Sequence, residues 1–221
     1  AAKITVADQV YTGAPLTPEI TVTLGGKQIA DTEYDVDYSG NTDKGTATVT
    51  ITGKHNYTGT ASETFTISAM DISKCVVSPI ASVVYDGTAH SPKVTVKNGE
   101  IVLTEGSDYD VTYSDNVSVT TDSRKAKATI TGRGNYTGQC VAEFEITKAD
   151  FADAVITGIP ESVEYTGESI VLTGYELTLG DTKLVENQDY VVEYTDNKEI
   201  GTATVRFIGA GNYLSLIHIS E

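Results

Sequence analysis

Apolar and polar residues alternate with a period of two over most of the chain. In the segment YDVDYS (34–39), the apolar side consists of Tyr34, Val36 and Tyr38. Asp35 and Asp37 stand between them and belong to the opposite side. Alternate side chains of a β-strand point to opposite faces, so this period is typical of a strand with one buried face. No stretch has a convincing helical period, and the pattern predicts an all-β protein.

The same alternating segments return three times in the same order. Each copy has a Tyr-x-Gly turn near its start, a central strand of the type Tyr-x-Val-x-Tyr, a second alternating strand, and an Asn-Tyr turn near its end. The second strand begins with Gly-Thr-Ala-Thr-Val in the first and third copies, whereas Lys125-Ala126-Lys127-Ala128 replaces Gly-Thr-Ala-Thr in the second. Corresponding positions lie 74 to 81 residues apart, which suits a small domain better than a solenoid turn. The Tyr-x-Gly turns begin at Tyr11, Tyr85 and Tyr165, and the Asn-Tyr turns at Asn56, Asn135 and Asn212.

The second strand of each copy predicts the core, because its small and branched apolar residues share one face. In the Asn-Tyr turn we expect the asparagine to adopt a positive φ and the tyrosine to cover the core. The residues predicted to face inward are Ala47, Val49 and Ile51, then Ala126, Ala128 and Ile130, then Ala203, Val205 and Phe207.

About six short strands per copy, with turns about every 8 to 12 residues, predict three tandem small antiparallel Ig-like β-sandwich domains. The predicted domains are residues 1–68, with the lead-in to the first strand missing, residues 69–148, and residues 149–213, with the last strand missing. The junctions at 68–70 and 147–149 contain neither Gly nor Pro. We therefore expect joints that resist bending, and an elongated rod with a length on the order of 100 Å.

The third copy departs from the other two after Tyr213. The final residues 214–221, LSLIHISE, resemble none of the segments that follow the earlier Asn-Tyr turns. They match the translation of a transposase sequencing adapter, and we interpret them as an adapter-derived tail on a metagenomic fragment. A divergent native strand is the alternative. On the first interpretation the third copy is truncated and leaves backbone groups of its neighbouring strands unpaired.

The charge of the chain excludes several classes of partner. The net charge is −16, from 15 Lys and Arg residues against 31 Asp and Glu residues. Nucleic acids and anionic membranes attract basic patches, so neither is an expected partner. Like charge keeps molecules apart, which favours a monomer. No apolar run approaches the roughly 20 residues that span a bilayer, and we expect the signal and anchor to lie outside the fragment.

The sequence predicts no catalytic residue, cofactor or metal ligand. The segment DVDYSG (35–40) matches the opening of an EF-hand loop, but Thr46 stands where that loop requires its final glutamate. There is no Gly-x-Ser-x-Gly motif, and no Ser or Cys has a histidine partner that recurs in the copies. We therefore expect a protein that is not an enzyme. The histidines share no ligand spacing and are His55, His90 and His218.

The two cysteines, Cys75 and Cys140, both fall in the second copy, on its first and last strands. A pair of cysteines inside one domain of a secreted protein predicts a disulfide. Two separate buried thiols are the alternative, because cysteine packs well as a small apolar residue.

The segments YTGAPLTPEITVTLGGKQI and YDVDYSGNTDKGTATVTITGKHNYTGT resemble the tandem Ig-like repeats, of the MBG or YDG type, of bacterial cell-surface proteins. The resemblance covers residues 1–213. It implies an extracellular location and a non-catalytic stalk that projects a distal functional region from the cell wall. The alternative is an adhesin or carbohydrate-binding module that contacts host glycans or proteins, which requires exposed aromatic residues or long loops.

Overall fold

The computed structural model describes residues 1–214 in full and the backbone of residues 216–220. The predicted all-β class is confirmed. Within the described residues, the only helical segments are two 3-10 turns, Asp31–Glu33 and Ile72–Lys74. Neither is of the length and apolar character that a membrane crossing demands, and the described part of the chain has no other candidate.

By its internal contacts the chain divides into two compact units. The first contains residues 1–80, 93–112 and 128–142, and the second contains residues 81–92, 113–127 and 143–221. The sequence of the second copy is thus shared between the units. This division does not test the bounds of the three predicted domains, and those bounds stay a prediction.

The first copy forms two sheets. Strands β2, β7, β6 and β5 form one sheet in that order, and β1, β3 and β4 form the other. All pairs are antiparallel except β2 with β7, which is parallel. These strands are β1 (Lys3–Val6), β2 (Gln9–Val10), β3 (Ile20–Leu24), β4 (Lys27–Gln28), β5 (Tyr34–Ser39), β6 (Gly45–Gly53) and β7 (Thr60–Ser68).

The second copy repeats this plan with shorter strands. Its sheets have the orders β12-β11-β9, β13-β14-β16, β10-β17 and β15-β8, and the last two pairs are parallel. These strands are β8 (Met70–Asp71), β9 (Val76–Val77), β10 (Val83–Val84), β11 (Val96–Asn98), β12 (Ile101–Val102), β13 (Tyr109–Ser114), β14 (Ala126–Gly132), β15 (Tyr136–Thr137), β16 (Gln139–Phe144) and β17 (Ile146–Thr147).

The third copy has the sheet orders β19-β20-β21, β22-β23-β25 and β18-β24. The pair of β18 with β24 is parallel and corresponds to the pair of β8 with β15 in the second copy. These strands are β18 (Ala149–Asp150), β19 (Val155–Thr157), β20 (Glu176–Leu179), β21 (Thr182–Lys183), β22 (Tyr190–Thr195), β23 (Thr204–Gly209), β24 (Tyr213–Leu214) and β25 (Leu216–Ser220).

The prediction that the third copy lacks its closing strand is wrong, because the structure contains the first part of that strand. Residues 216–220 pair antiparallel with β23 along its length. The physical reason is that the tail itself alternates with period two, so Ile217 and Ile219 stand opposite Phe207 and Val205 in the register. The origin of the tail in a sequencing adapter stays a prediction.

The predicted inward residues are buried with one exception. Ala47, Val49, Ala126 and their counterparts on β6, β14 and β23 are fully or nearly fully buried. Ala203 is exposed and lies just before β23, so its predicted burial is wrong. The counterpart of Ala203 in the first copy packs against the aromatic ring of Phe65, which comes from a later part of the closing strand.

The central tyrosines differ in burial along their strands. Tyr34, Tyr109 and Tyr190, at the strand starts, are 9%, 2% and 4% exposed. The tyrosines four positions later are half-buried. Two of them donate a hydrogen bond from the phenol to a loop carbonyl, Tyr38 to Pro18 at 2.5 Å and Tyr113 to Pro92 at 2.5 Å.

We expect Phe65→Ala to lower the free energy of unfolding by about 3 to 5 kcal/mol, because it empties a buried aromatic site. The matched control is Thr64→Ala on the exposed face of the same strand, which should cost under about 1 kcal/mol. Urea denaturation of both variants measures the difference, and equal costs would show that the assigned faces of β7 are wrong.

Candidate functional site

The candidate functional site lies at the Asn-Tyr turns. In the second copy the turn follows Gly132, the last residue of β14, where a Cβ would lie 2.6 Å from the backbone nitrogen of Thr137. The chain therefore closes tightly on itself after β14. The residue with positive φ precedes the asparagine in all three turns, so the prediction of a positive φ at asparagine is wrong. These residues are His55 (φ 52), Gly134 (φ 57) and Gly211 (φ 56).

The tyrosine of each later turn packs on a tyrosine of the preceding copy. Tyr136 meets Tyr11 edge-to-face, with ring centroids 5.5 Å apart and an interplanar angle of 84°. Tyr213 meets Tyr85 at 5.5 Å and 89°. Tyr11 and Tyr85 open the Tyr-x-Gly turns of their copies. Edge-to-face pairs contribute about 0.5–1.5 kcal/mol beyond the burial of their area.

The asparagine of the same turn bonds to a second loop of the preceding copy. The Oδ1 atom of Asn135 accepts a hydrogen bond from the backbone N–H of Lys44 at 2.9 Å, and its Nδ2 donates to Asp43 at 2.9 Å. The Oδ1 atom of Asn212 accepts one from the backbone N–H of Val119 at 3.1 Å. Lys44 and Val119 occupy equivalent positions in the two copies. We call each set of tyrosine pair and asparagine bond a junction.

An internal asparagine in each copy bonds to the loop after the Tyr-x-Gly turn, and in the first two copies it lies three residues before the residue that receives the junction bond. Its Nδ2 donates to the carbonyl of a residue in the loop after the Tyr-x-Gly turn, and that residue returns a backbone N–H to its carbonyl. These two hydrogen bonds join the two loops and fix their positions relative to each other. The pairs are Asn41 with Leu16 (2.8 Å), Asn116 with His90 (2.7 Å) and Asn197 with Ile170 (2.7 Å).

The first junction has two further contacts. Asn98 donates from Nδ2 to the carbonyl of Thr12 at 3.3 Å. Gly13 has a φ of +90°, and a Cβ on it would lie 2.4 Å from the Cδ1 atom of Ile101. The glycine of the Tyr-x-Gly turn therefore serves both the turn and the close approach of the next copy.

The tyrosines of the Asn-Tyr turns are buried where they take part in a junction. Tyr136 and Tyr213 are 3% and 4% exposed, whereas Tyr57, at the same position of the first copy, is 36% exposed. Burial raises the pKa of Tyr136, and burial, with Tyr85 and Asp189 nearby, raises the pKa of Tyr213 to about 12. Both phenols are therefore neutral in the physiological range, and their packing is independent of pH there.

Each junction lies inside one compact unit. The residues of the first junction fall within 1–80, 93–112 and 128–142, and those of the second within 81–92, 113–127 and 143–221. Sequence reasoning identified the Asn-Tyr turn but assigned its tyrosine only to the core of its own copy. The recurrence of asparagine in all three turns was the available signal for a second role.

The acidic segment 35–40 takes part in an ion pair. The carboxylate of Asp35 pairs with the ammonium of Lys54. The described residues contain no group of three or more His, Cys, Asp or Glu side chains suited to a metal ion. His90 lies 3.4 Å from Asp86, His55 lies 3.7 Å from Glu33, and the side chain of His218 is outside the described residues.

Cys75 and Cys140 are half-buried and have free thiols. Burial raises the pKa of both thiols, and the proximity of Cys140 raises that of Cys75 further. Raised values keep both sulfurs protonated near neutral pH, which slows their reaction with oxidants because the thiolate is the nucleophile. The disulfide between them stays a prediction.

Residues 80–150 match the family model of the MBG domain. This segment covers the second copy from just before its Tyr-x-Gly turn to the start of the third copy. The match supports an MBG-type repeat in this part of the chain, and the MBG domain is found in surface proteins. No curated protein matches the chain.

We expect Asn135→Ala to lower the free energy of unfolding by about 1 kcal/mol or more, because it removes the side chain that bonds Asp43 and Lys44. Asn56→Ala is the matched control, since it changes the same position of the turn in the first copy, whose Tyr57 is exposed, and it should cost under about 0.5 kcal/mol. Equal effects in urea denaturation would contradict a role of the asparagine in the junction.

Oxidised, folded protein should contain a Cys75–Cys140 disulfide, formed slowly because both thiol pKa values are raised. Reduction should lower the melting temperature, since the cross-link closes a loop whose entropy accounts for up to about 4 kcal/mol. Cys140→Ser, which cannot form the bond, should melt at one temperature with and without reductant. Thiol titration that finds two free sulfhydryls after complete oxidation would refute the disulfide.

Proposed function

We propose that this chain is a non-catalytic structural stalk of a bacterial cell-surface protein and projects a distal functional region from the wall. The observation that supports this most is the repetition of one junction at both boundaries between copies. A tyrosine pair and an asparagine bond recur with the same geometry at equivalent positions. A contact that holds neighbouring copies in a fixed relation is what a rigid spacer requires.

Neighbouring copies are covalently connected by a very short linker, and this connection makes the modest contacts of a junction sufficient to hold them together. A single residue, Ala69, separates β7 from β8, and a single residue, Lys148, separates β17 from β18. Two surfaces joined by so short a tether meet at a high effective concentration, so little entropy opposes their contact. An edge-to-face tyrosine pair and one or two hydrogen bonds then suffice to keep the joint closed most of the time.

The proposed location is the outside of the bacterial cell, and the net charge of −16 suits it. An acidic surface favours solubility and repels other copies of the chain, which supports a monomer. It also disfavours nucleic acid and anionic membrane as partners. The occurrence of the MBG domain in surface proteins points the same way.

Small-angle scattering of the whole chain tests the stalk. We expect a maximum dimension on the order of 100 Å, from the strand rise summed over three copies. Opening both junctions by Tyr11→Ala, Asn135→Ala, Tyr85→Ala and Asn212→Ala should broaden the distribution of dimensions without loss of β-structure. The control is the double change Asn56→Ala and Tyr57→Ala, which should leave the curve unchanged. A compact wild-type particle, or identical curves for the junction variant and wild type, would contradict the stalk.

An adhesive role is a second proposal, supported by two exposed aromatic rings. Tyr57 and Tyr165 are 36% and 53% exposed. Exposed aromatic rings are the usual platforms for sugar rings and for protein partners. Binding on a glycan array that is lost in Tyr165→Ala and retained in Val171→Ala would favour an adhesin. If the chain binds nothing on the array, the stalk is the remaining proposal.

A further inference from the structure

One asparagine of the chain is followed by glycine, and it lies at the first junction. Asn98 ends β11, and Gly99 and Glu100 form the two-residue turn that leads to β12. None of the other seven asparagines has glycine as its next residue. The same position before the turn is occupied by Leu24 in the first copy and Leu179 in the third, so the second copy alone places an amide there.

The side chain of Asn98 bonds at the centre of the junction. Its Nδ2 atom donates to the carbonyl of Thr12, in the Tyr-x-Gly turn of the first copy, at 3.3 Å, and to the phenol oxygen of Tyr136 at 3.4 Å. Thr12 follows Tyr11, whose ring meets that of Tyr136 edge-to-face. An ionised carboxyl group only accepts hydrogen bonds. If the amide became an acid, the phenol could donate to it, but the carbonyl of Thr12 would lose its donor.

The turn leaves room for a reaction at this side chain. Gly99 is exposed and has a φ of +57°, and a Cβ placed on it would meet no heavy atom within 4 Å. Glu100 is exposed as well. Asparagine is a thermolabile residue, because the backbone nitrogen of the next residue can attack its side-chain carbonyl carbon. Glycine has no side chain to hinder that attack, so Asn98 is the asparagine of this chain that is most open to it.

We propose that Asn98 is a site of spontaneous deamidation that loosens the first junction as the protein ages. The backbone nitrogen of Gly99 loses its proton and forms a bond to the Cγ atom of Asn98. The bond from Cγ to the side-chain nitrogen breaks, and this nitrogen leaves as ammonia. Water then opens the succinimide ring at one of its two carbonyl carbons and gives aspartate or isoaspartate. Water is the only co-reactant, so the modification needs neither an enzyme nor an oxidant.

Both products weaken the junction. Each carries a carboxylate in place of the amide, so an acceptor with a negative charge faces the carbonyl oxygen of Thr12. Isoaspartate also adds one carbon to the main chain before a two-residue turn, which disturbs the pairing of β11 with β12. That pairing positions Ile101, whose side chain lies against Gly13 of the first copy. The loss of one hydrogen bond alone should increase opening of the junction about two- to tenfold.

Peptide mapping by mass spectrometry tests the modification. The full chain is kept at mildly alkaline pH and sampled over several weeks. We expect the mass gain of an amide-to-acid conversion to accumulate faster at Asn98 than at any other asparagine. Asn41 and Asn116 are the matched internal controls, because both are half-buried and hydrogen-bonded in loops but are not followed by glycine. Deamidation of Asn98 no faster than that of these two residues would overturn the proposal.

Hydrogen exchange at one backbone amide measures the junction. The N–H of Lys44 donates to the side chain of Asn135 across the first junction, whereas the N–H of Val119 donates to Asn212 at the second. Exchange at Lys44 should become about two- to tenfold faster in aged protein and in Asn98→Asp, and exchange at Val119 should stay the same. Asn98→Gln has a longer side chain that does not favour the succinimide, so its exchange should not change with age.

The outcomes separate the chemistry from its effect on the junction. Unchanged exchange at Lys44, both in aged protein with modified Asn98 and in Asn98→Asp, would overturn the effect on the junction. An equal change with age in Asn98→Gln would assign the loosening to another site and overturn the proposal as well.

Discussion

The contact on which the arrangement of the copies depends is an edge-to-face pair of tyrosines backed by one asparagine. Every local feature around it serves to place those three side chains. A glycine closes the turn after the long hairpin, a residue with positive φ precedes the asparagine, and an internal asparagine fixes the loop that receives the bond. None of these elements is strong by itself, but each removes freedom that the junction would otherwise have to overcome.

The junction also explains why compact units and sequence copies do not coincide. Each unit contains the residues on both sides of one junction, so each unit combines parts of two neighbouring copies. A linker of one residue leaves no flexible segment that would separate the copies. The forces within a copy and between copies are of the same kind, namely strand pairing and burial of aromatic rings, and differ only in extent.

The fold was predictable from the sequence because it rests on a local pattern. Period-two alternation placed Ala47, Val49 and Phe207 correctly on buried faces. It failed at Ala203, because burial there requires a covering ring from a distant part of the chain, and at residues 216–220, because a short alternating tail pairs whatever its origin. The partners of Asn135 and Asn212 lie in another copy, about 90 residues away. No local pattern specifies a partner at that distance, so the sequence shows the site only as a repeated Asn-Tyr dipeptide.

Each copy presents two different halves of the junction, a tyrosine in one turn and an Asn-Tyr pair in another. The halves are complementary to each other and not to themselves, so the contact has a direction along the chain. A gene segment that encodes one copy brings both halves with it. Duplication or loss of such a segment therefore changes the number of copies while every remaining boundary finds its matching surface, and the length of the protein can evolve without any new contact having to be invented.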